Sequence, residues 1–394
     1  ALSLAASVTL AGIASWLPPL AIFLAVSQLD VRSRLRLCWF ILAIAGIAAV
    51  LGLLQVAQGP ASELRLFEIT NNDDSVGFFA NRNHFAAQLY VALVLAVVWL
   101  AASVEATTRA RRLQPAGVIG FVAAGLFFVV VLAALAIARS RAGVGLAILA
   151  VFGIAAIVIA GVAGGRRPRD TTPTARVRWL MVGTLVLAFA FVTQSGLQRI
   201  LSRLDSEFVD HLRPAFATTA FDGFWKLFPL GGGIGSFVDV YATLEQSHNV
   251  FQRYGNRAHN DWLEVLLETG LAGAALIAAF LSWFAMRLVD IWRSGDEDAR
   301  HRLLRCAAAI AVTLLLIHSA FDYPLRTTPV AVLFAYCCAV LVRPPATTSS
   351  IAADARPPTR DRRPTPPAPP PRPVAAADPP GIRWPEAWRR PDGG

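Results

Sequence analysis

Nine apolar stretches dominate this 394-residue chain. The hydrocarbon core of a bilayer is roughly 30 Å thick, so a helix needs about 20 apolar residues to cross it. Because backbone amides in lipid must be bonded within their own segment, such stretches are expected to be helical. The sequence therefore predicts an all-α fold, a polytopic transmembrane helical bundle of about nine spans. The approximate spans are 3–26, 37–57, 84–104, 116–138, 143–163, 179–197, 262–286, 304–320 and 327–342.

The composition agrees with lipid as the main solvent. Hydrophobic residues make up 55% of the chain and charged residues only 16%, which excludes an ordinary soluble domain. The formal net charge is +10, and every basic residue except Lys226 is an arginine. The arginines lie between the apolar stretches and near the C-terminus, with no recognition helix or basic–aromatic patch, so we predict no nucleic-acid partner. The four cysteines form no CxxC pair, which argues against a disulfide framework or a zinc site.

Arginine clusters occupy alternate loops, which the positive-inside rule assigns to the cytoplasm. The clusters are Arg32, Arg34 and Arg36; Arg109, Arg111 and Arg112; Arg166, Arg167 and Arg169; and Arg293, Arg300, Arg302 and Arg305. The outward loops are then 58–83, the turn at 139–141, 198–261 and 322–326. The large periplasmic loop 198–261, between spans six and seven, mixes charges with aromatic residues, so we expect a folded cap with short helices at the membrane surface.

The two ends of the chain carry further expectations. Residues 1–343 form the predicted membrane domain, whereas 344–394 are rich in Pro, Ala and Arg, which predicts a disordered cytoplasmic tail. The chain begins with Ala1 in an apolar stretch without the features of a signal peptide, so we expect further spans upstream. Pro18 and Pro19 predict a kink in the first span, and the last two spans are short.

The segment from Ala258 enters the seventh span from the long outer loop. Asp261 and Glu264 have the spacing of a capping box, with Asp in place of Ser or Thr, which places His259 just before a helix N-terminus. An imidazole at that position is a candidate general base for an alcohol. The alternative is that His259 and Asn260 only bond the free amides of the helix end.

Two arginines lie in the outward turn between the fourth and fifth spans, against the positive-inside trend. Arg139 and Arg141 flank Ser140, with few other polar residues nearby. Guanidinium groups bind phosphate oxygens in a bidentate manner, so the turn is a candidate anion site. The alternative is that both side chains reach toward lipid headgroups. Arg213, in the long loop, is a candidate second phosphate contact.

Several other polar motifs have two interpretations each. Asn83 either caps the third span or binds sugar hydroxyls, with capping favoured. Glu268 either binds substrate or braces its helix. The glycines from Gly231 to Gly235 form a tight turn in preference to a pyrophosphate site, because their spacing matches neither nucleotide-binding fingerprint. Asp296 to Asp298 has the form of a metal-binding DxD motif, but it lies among arginines in a cytoplasmic loop, so we interpret it as a solvated charge run and predict no metal.

Taken together, these segments resemble the O-antigen ligase and polysaccharide polymerase superfamily of bacterial inner-membrane proteins. The resemblance covers roughly residues 77–326, and its most specific pieces are the His-Asn-Asp-Trp-Leu-Glu and Glu-Thr-Gly sequences between His259 and Gly270. Weaker pieces occur in the family's order: Gly77 to His84, Ser140-Arg141, Arg213, Pro229 to Phe237, and His318 to Arg326.

The resemblance implies a metal-independent, inverting glycosyltransferase or ligase that needs no cofactor. The implied donor is a glycan on a polyprenyl diphosphate such as undecaprenyl diphosphate, the acceptor is lipid A core or another glycan, and the site is periplasmic. Arg141 and Arg213 match the family's diphosphate-binding arginines, and His259 matches its essential histidine. The further candidate substrate contacts are Arg139, Asn83, Asn260 and Glu268.

Other functions also fit a basic, multi-pass chain. A transporter of lipid-linked sugars is expected to carry ionisable residues near the bilayer midplane, whereas the second to sixth predicted spans have uncharged centres. A scaffold that recruits partners through its Pro-rich tail is a third interpretation. Within the enzyme class, a ligase and a polymerase differ in their acceptor, so the sequence leaves both open, with the ligase first.

Overall fold

The computed structural model describes residues 3–69, 72–108, 115–159, 183, 208–244, 257–293 and 298–345. Regular structure within these ranges is helical, and seven helical segments there are long and apolar enough to cross a membrane, which confirms the all-α polytopic bundle. The helices are α1 (Ala6–Ala14), α2 (Leu17–Ser27), α3 (Val31–Ala57), α4 (Arg82–Thr108), α5 (Pro115–Ile137), α6 (Arg141–Ile159), α7 (Phe208–Lys226), α8 (Phe237–Leu244), α9 (Asp261–Arg293), α10 (Ala299–His318), a 3-10 turn (Pro324–Arg326) and α11 (Thr328–Leu341).

Two predicted segments fall wholly or largely outside the described residues. The predicted span 179–197 has only residue 183 among them, and the predicted tail 344–394 has only its first two. The long loop between spans six and seven is described at 208–244 and from 257 onward, where it contains α7 and α8.

Helix α4 lies at the centre of the bundle, packed against α3, α5, α6 and α10. Its side chains from Phe85 to Val98 are nearly all buried. A helix that is apolar on every side is stable only where neighbours or lipid surround it completely, and α4 meets this condition with protein neighbours. In contrast, α1 and α2 leave large apolar side chains exposed, as expected of helices that face lipid.

The ends of the bundle test two expectations about helix shape and length. The first predicted span is broken as expected: α1 ends at Ala14 and α2 begins at Leu17, with Pro18 in its first turn, where a missing N–H breaks no helical bond. Of the last two predicted spans, only α11 is short, with 14 residues, whereas α10 has 20 residues and is long enough to cross a membrane.

Two of the predicted arginine clusters, Arg32 to Arg36 and the arginines of 300–305, lie at one end of the bundle, where guanidinium groups bond carbonyls that helix ends leave free. The clusters at 109–112 and 166–169 lie outside the described residues. Arg34 is buried, and it donates to the carbonyl of Ser27 at 2.8 Å and to that of Val342 at 2.6 Å. Arg305, also buried, pairs with Asp290 at 2.6 Å. The opposite end carries the loops 58–81, 138–140, 257–260 and 319–327, and we call it the site end. The described loops are therefore consistent with the alternation that the sequence predicts, and the assignment of the arginine-rich end to the cytoplasm stays a prediction.

Candidate active site

His259 lies at the site end, two residues before α9, as the sequence predicts. Its φ of 49° is left-handed, a conformation that non-glycine residues hold only where the surrounding structure enforces it. The imidazole stacks on Phe216, with ring centroids 6.1 Å apart and planes 14° apart. Its Nδ1 lies 3.1 Å from Oδ1 of Asp322, and the side chain is 13% exposed. Because a carboxylate only accepts hydrogen bonds, this contact places the proton of a neutral imidazole on Nδ1 and leaves Nε2 as the basic nitrogen.

Asp322 is fully buried and joins three segments of the chain. Besides the bond from His259, Oδ1 accepts from the backbone N–H of Tyr323 at 3.0 Å, and Oδ2 accepts from the side-chain amide of Asn83. A buried carboxylate is tolerated only when it is bonded in this way. Asp322 can therefore hold the imidazole in one orientation and stabilise it when it gains a proton.

The capping box predicted from Asp261 and Glu264 is wrong, because the helix begins one residue earlier than that motif requires. Asn260 is the N-cap: its Oδ1 accepts from the N–H of Leu263 at 3.1 Å, and its Nδ2 donates to the carbonyl of Ala320 at 3.0 Å. Both halves of the Asn260 amide are thus used by the fold, as the alternative interpretation predicts for this residue, and its contact with substrate stays a prediction.

Asn83 does not cap α4, which corrects the favoured interpretation. Asn81 occupies the cap position, and its Oδ1 accepts from the N–H of Asn83 at 2.7 Å. The Asn83 side chain instead links two loops: it donates to Asp322 and accepts from Ser140 Oγ at 2.7 Å. Ser140 in turn accepts from the N–H of Gly143 at 3.0 Å and so caps α6. The arginine turn and the His259–Asp322 pair are therefore connected through one asparagine.

Arg139 lies beside a buried carboxylate at the site end. Its Nη1 is 3.6 Å from Oδ1 of Asp74, whose Oδ2 is 2.7 Å from Nη1 of Arg82. Arg65 donates to the backbone carbonyl of Asp74 at 2.9 Å. Two guanidinium groups thus contact the Asp74 carboxylate, and a third bonds its backbone carbonyl, so cationic groups gather beside the arginine turn, where they could attract an anionic ligand.

The two arginines that match the family's diphosphate site are on separate helices. Arg141 is the first residue of α6, directly after Ser140, and its side chain is partly exposed. The backbone of Arg213 lies in the second turn of α7, three residues before Phe216, and its side chain is outside the described residues. Whether either binds a diphosphate stays a prediction.

A second charged cluster fixes the 3-10 turn against α9. Arg326 Nη1 lies 2.8 Å from Oε2 of Glu268, and its Nε lies 3.5 Å from Oε1 of Glu264 and 3.8 Å from Oδ1 of Asp261. Arg257 pairs with Glu264 at 2.8 Å. The three carboxylates share one face of α9 and are buried. Glu268 therefore braces the helix, while its contact with substrate stays a prediction.

Burial and charge shift the pKa of two residues in this turn. Burial raises the pKa of the Tyr323 hydroxyl, and the neighbouring Asp322 adds to the rise. Burial alone would lower the pKa of Arg326, but the carboxylates of Glu264, Glu268 and Asp261 outweigh it and raise the pKa. Tyr323 thus stays a neutral hydroxyl, and Arg326 stays a permanent cation.

Tyr323 separates two imidazoles. Its ring centroid lies 5.0 Å from that of His259 and 4.9 Å from that of His84, which is 3% exposed. The neutral tyrosine therefore packs between the candidate base and the start of α4.

The glycine segment forms a turn that docks on a break in α9. Gly270 has φ 57° and ψ −134°, which interrupts the helix and frees carbonyls in the preceding turn. The N–H of Gly232 donates to the carbonyl of Leu267 at 3.0 Å, and that of Gly233 donates to the carbonyl of Glu268 at 2.7 Å. Since these amides are used within the protein, the geometry favours the tight-turn interpretation over a pyrophosphate site.

Sequence reasoning did not single out three residues that organise the site. Asp322 and Arg326 lie at the two ends of one short outward turn, and Asp74 lies in an outward loop. The sequence signal that could have identified the turn is its pair of charged residues, Asp322 and Arg326, within five residues between two apolar helices. Charged residues in such a place usually have partners within the protein.

Among the described residues, no cluster of three His, Cys, Asp or Glu side chains is arranged to hold a metal, and metal independence stays a prediction.

Comparison with known protein families gives a match over part of the chain. Residues 126–278 match the family model described as O-antigen ligase. The match includes the arginine turn, α6 to α8, His259 and the carboxylates at the start of α9, and it ends before Asp322 and Arg326. No curated protein and no solved structure matches the chain significantly. Over this region the chain is similar to the O-antigen ligase family, and the match supports the resemblance to the O-antigen ligase and polysaccharide polymerase superfamily.

Proposed function

We propose that the protein transfers a glycan from a polyprenyl-diphosphate donor to a sugar hydroxyl, with lipid A core as the acceptor, at the periplasmic face of the bacterial inner membrane. The match to the O-antigen ligase family model supports glycan transfer in general, with a lipid-linked glycan and a glycan acceptor as substrates. The seven apolar helical segments support a multi-pass membrane protein. The donor lipid, the acceptor and the face of the membrane are the proposed refinements.

The observation that carries the proposal is the pair formed by His259 and Asp322. In the proposed reaction, Nε2 of His259 takes the proton of the acceptor hydroxyl while that oxygen attacks the anomeric carbon of the donor sugar. The bond from this carbon to the diphosphate oxygen breaks, so the configuration inverts and polyprenyl diphosphate leaves. Asp322 stabilises the imidazolium that forms.

Cations near the arginine turn complete the proposed chemistry. Negative charge grows on the departing diphosphate, and guanidinium groups stabilise such charge through paired hydrogen bonds. Arg141 lies one residue after Ser140, which is bonded to Asn83 and through it to Asp322. This short chain of contacts supports placing the leaving group beside Arg141, with Arg213 as the second proposed contact and Arg139 at the edge of the same charged region.

Polymerisation of lipid-linked repeats is the second candidate, because it uses the same donor and chemistry with a different acceptor. Transport of lipid-linked sugar is less favoured: in the described spans, carboxylates and arginines lie near the helix ends, whereas translocation is expected to place some near the midplane. A scaffold role would require that transfer survive the loss of His259.

The test is a deletion of the gene in its source cell, complemented with wild type, His259→Ala or His259→Gln, followed by gels of surface and lipid-linked glycans. If long glycan accumulates on the lipid carrier and is lost from lipid A core, the protein is a ligase. If single repeats accumulate, it is a polymerase. Unchanged glycans in the deletion strain, or full complementation by His259→Ala, would overturn the proposal.

A further inference from the structure

Helix α7 has three distinct faces along residues 214–226, where its side chains are described, and one of these faces packs on the protein. The buried face holds Phe216, Ala220 and Gly223. Phe216 contacts Tyr241 of α8 with ring centroids 5.6 Å apart, and a side chain at Gly223 would collide with Leu267 of α9. Because these residues recur every three or four positions, they form one stripe along the helix.

The second face is an exposed aromatic stripe. Phe221 is 48% exposed and Trp225 is 59% exposed, and Phe228 extends the stripe just beyond the end of the helix. Phe224 lies beside them, with its ring centroid 5.0 Å from that of Trp225 and 5.9 Å from that of Phe228. Four aromatic rings in mutual contact, three of them largely exposed, form a contiguous apolar patch of the kind that marks a binding surface.

The third face is polar. Thr218, Asp222 and Lys226 are exposed and spaced four residues apart, so they form a separate stripe beside the aromatic one. A helix that offers aromatic groups on one side and charged groups on another matches the boundary between headgroups and acyl chains, where Trp and Phe are favoured.

The segment that follows α7 packs beside α1, a helix that belongs to a candidate membrane span, and so relates the position of α7 to the bilayer. The N–H of Leu4 donates to the carbonyl of Gly232 at 2.9 Å, and Gly12 lies against Ile234. Residues 231–235 therefore run beside α1, which begins an apolar span that ends at Ser27. Leu10 and Ile13 of α1 are exposed, as is Leu230 just before the contact. The aromatic stripe is thus followed directly, through the exposed Leu230, by the segment that packs on a span with exposed apolar side chains.

We infer that α7 is an interfacial helix whose aromatic stripe is inserted into the headgroup–acyl boundary of the leaflet at the site end. Lipid is the occupant that the exposed aromatic face and its connection to α1 favour over a protein partner. Phe216, on the opposite side of the same helix, stacks on His259. The depth at which lipid holds α7 therefore sets the depth of the imidazole, and it places this group at the level where the phosphates of membrane lipids lie.

The test compares neighbouring positions on α7 in the full chain, reconstituted in nanodiscs of phosphatidylethanolamine and phosphatidylglycerol. Phe221→Cys and Asp222→Cys are each spin-labelled in a Cys306→Ser background, since Cys38, Cys337 and Cys338 are buried. Collision with oxygen, which concentrates in acyl chains, is measured against collision with a water-soluble nickel chelate. The unsubstituted background corrects for residual labelling, and both variants must elute like the parent protein.

We expect the label at position 221 to collide mainly with oxygen and the label at position 222 to collide mainly with the nickel chelate. Equal access of the chelate to both labels would overturn the proposal, because α7 would then lie in water. A label at 221 that is shielded from both reagents would also overturn it, because the stripe would then be covered by protein. The measurement needs no substrate, so it stands apart from the proposed glycan transfer.

Discussion

Nδ1 of His259 lies 3.1 Å from Oδ1 of Asp322, although 63 residues separate the two along the chain. His259 precedes α9, which leads from the site end to the arginine-rich end, and Asp322 follows α10, which returns. Because the two helices run in opposite directions, the chain returns to the site end after α10, where Asp322 meets His259. The candidate base and the carboxylate that orients it therefore lie at the start and the end of one pair of antiparallel helices.

Substitution of Asp322 by Asn is expected to lower the rate of transfer by about 10²-fold or more, the range of a lost general base. An amide can donate toward Nδ1 as well as accept, so the proton of the imidazole is no longer confined to Nδ1 and Nε2 is less often basic. Single-turnover rates with lipid-linked donor measure the effect, and thermal unfolding of the same sample checks the fold. A well-folded Asp322→Asn variant with an unchanged rate would exclude the proposed role of the pair.

Replacement of Arg326 by Gln is expected to destabilise the protein by roughly 3–5 kcal/mol, because it leaves buried carboxylates without their cation. Glu268→Gln in the same chain should restore part of the loss, since it removes the carboxylate that lies closest to Arg326. Unfolding in detergent measures both changes.

A matched control for Arg326 is available at the other end of the bundle. Arg343 also pairs with a carboxylate, Asp290, but its side chain is 65% exposed, so Arg343→Gln should cost about 1 kcal/mol or less. Equal losses of unfolding free energy in Arg326→Gln and Arg343→Gln would contradict the proposal that Arg326 stabilises the fold by pairing with buried carboxylates.

Arg141→Ala is expected to reduce kcat/KM for the lipid-linked donor by about 10- to 10²-fold, corresponding to the roughly 1.5–3 kcal/mol of a hydrogen bond to a charged group. Arg36→Ala removes an exposed arginine at the opposite end and should leave this ratio unchanged. Competition by inorganic pyrophosphate should weaken in Arg141→Ala and persist in Arg36→Ala. If Arg141→Ala and Arg36→Ala lower kcat/KM equally, Arg141 acts through the overall charge of the protein and not through contact with the diphosphate.

Gly270→Ala is expected to destabilise the fold by about 1–3 kcal/mol, because φ 57° with ψ −134° is strained for any residue with a side chain. A Cβ there would also collide with the carbonyl of Pro229. Gly125→Ala in α5 meets nothing within 4 Å and should be neutral or stabilising by up to about 1 kcal/mol. Gly270→Ala should therefore lower the unfolding midpoint and Gly125→Ala should not, and a similar fall in both variants would contradict the role assigned to the break in α9.

The membrane bundle could be predicted from the sequence because lipid allows few solutions. Apolar stretches of about 20 residues must be helical there, and alternating arginine clusters fix which loops share an end of the bundle. The same rules place His259 before a helix and Arg139 to Arg141 in a turn. The structure agrees on His259 and has Arg139 and Ser140 in the turn, whereas Arg141 is already the first residue of α6.

Only the tertiary structure decided which polar residues meet. Asn81 rather than Asn83 caps α4, and Asn260 rather than Asp261 caps α9, because a helix start one or two residues away changes which side chain reaches the free amides. The pairing of His259 with Asp322 depends on the lengths of α9 and α10 and on how they pack. Local sequence carries the period of each helix, but a contact between distant segments depends on the packing of the whole bundle, and no single segment encodes it.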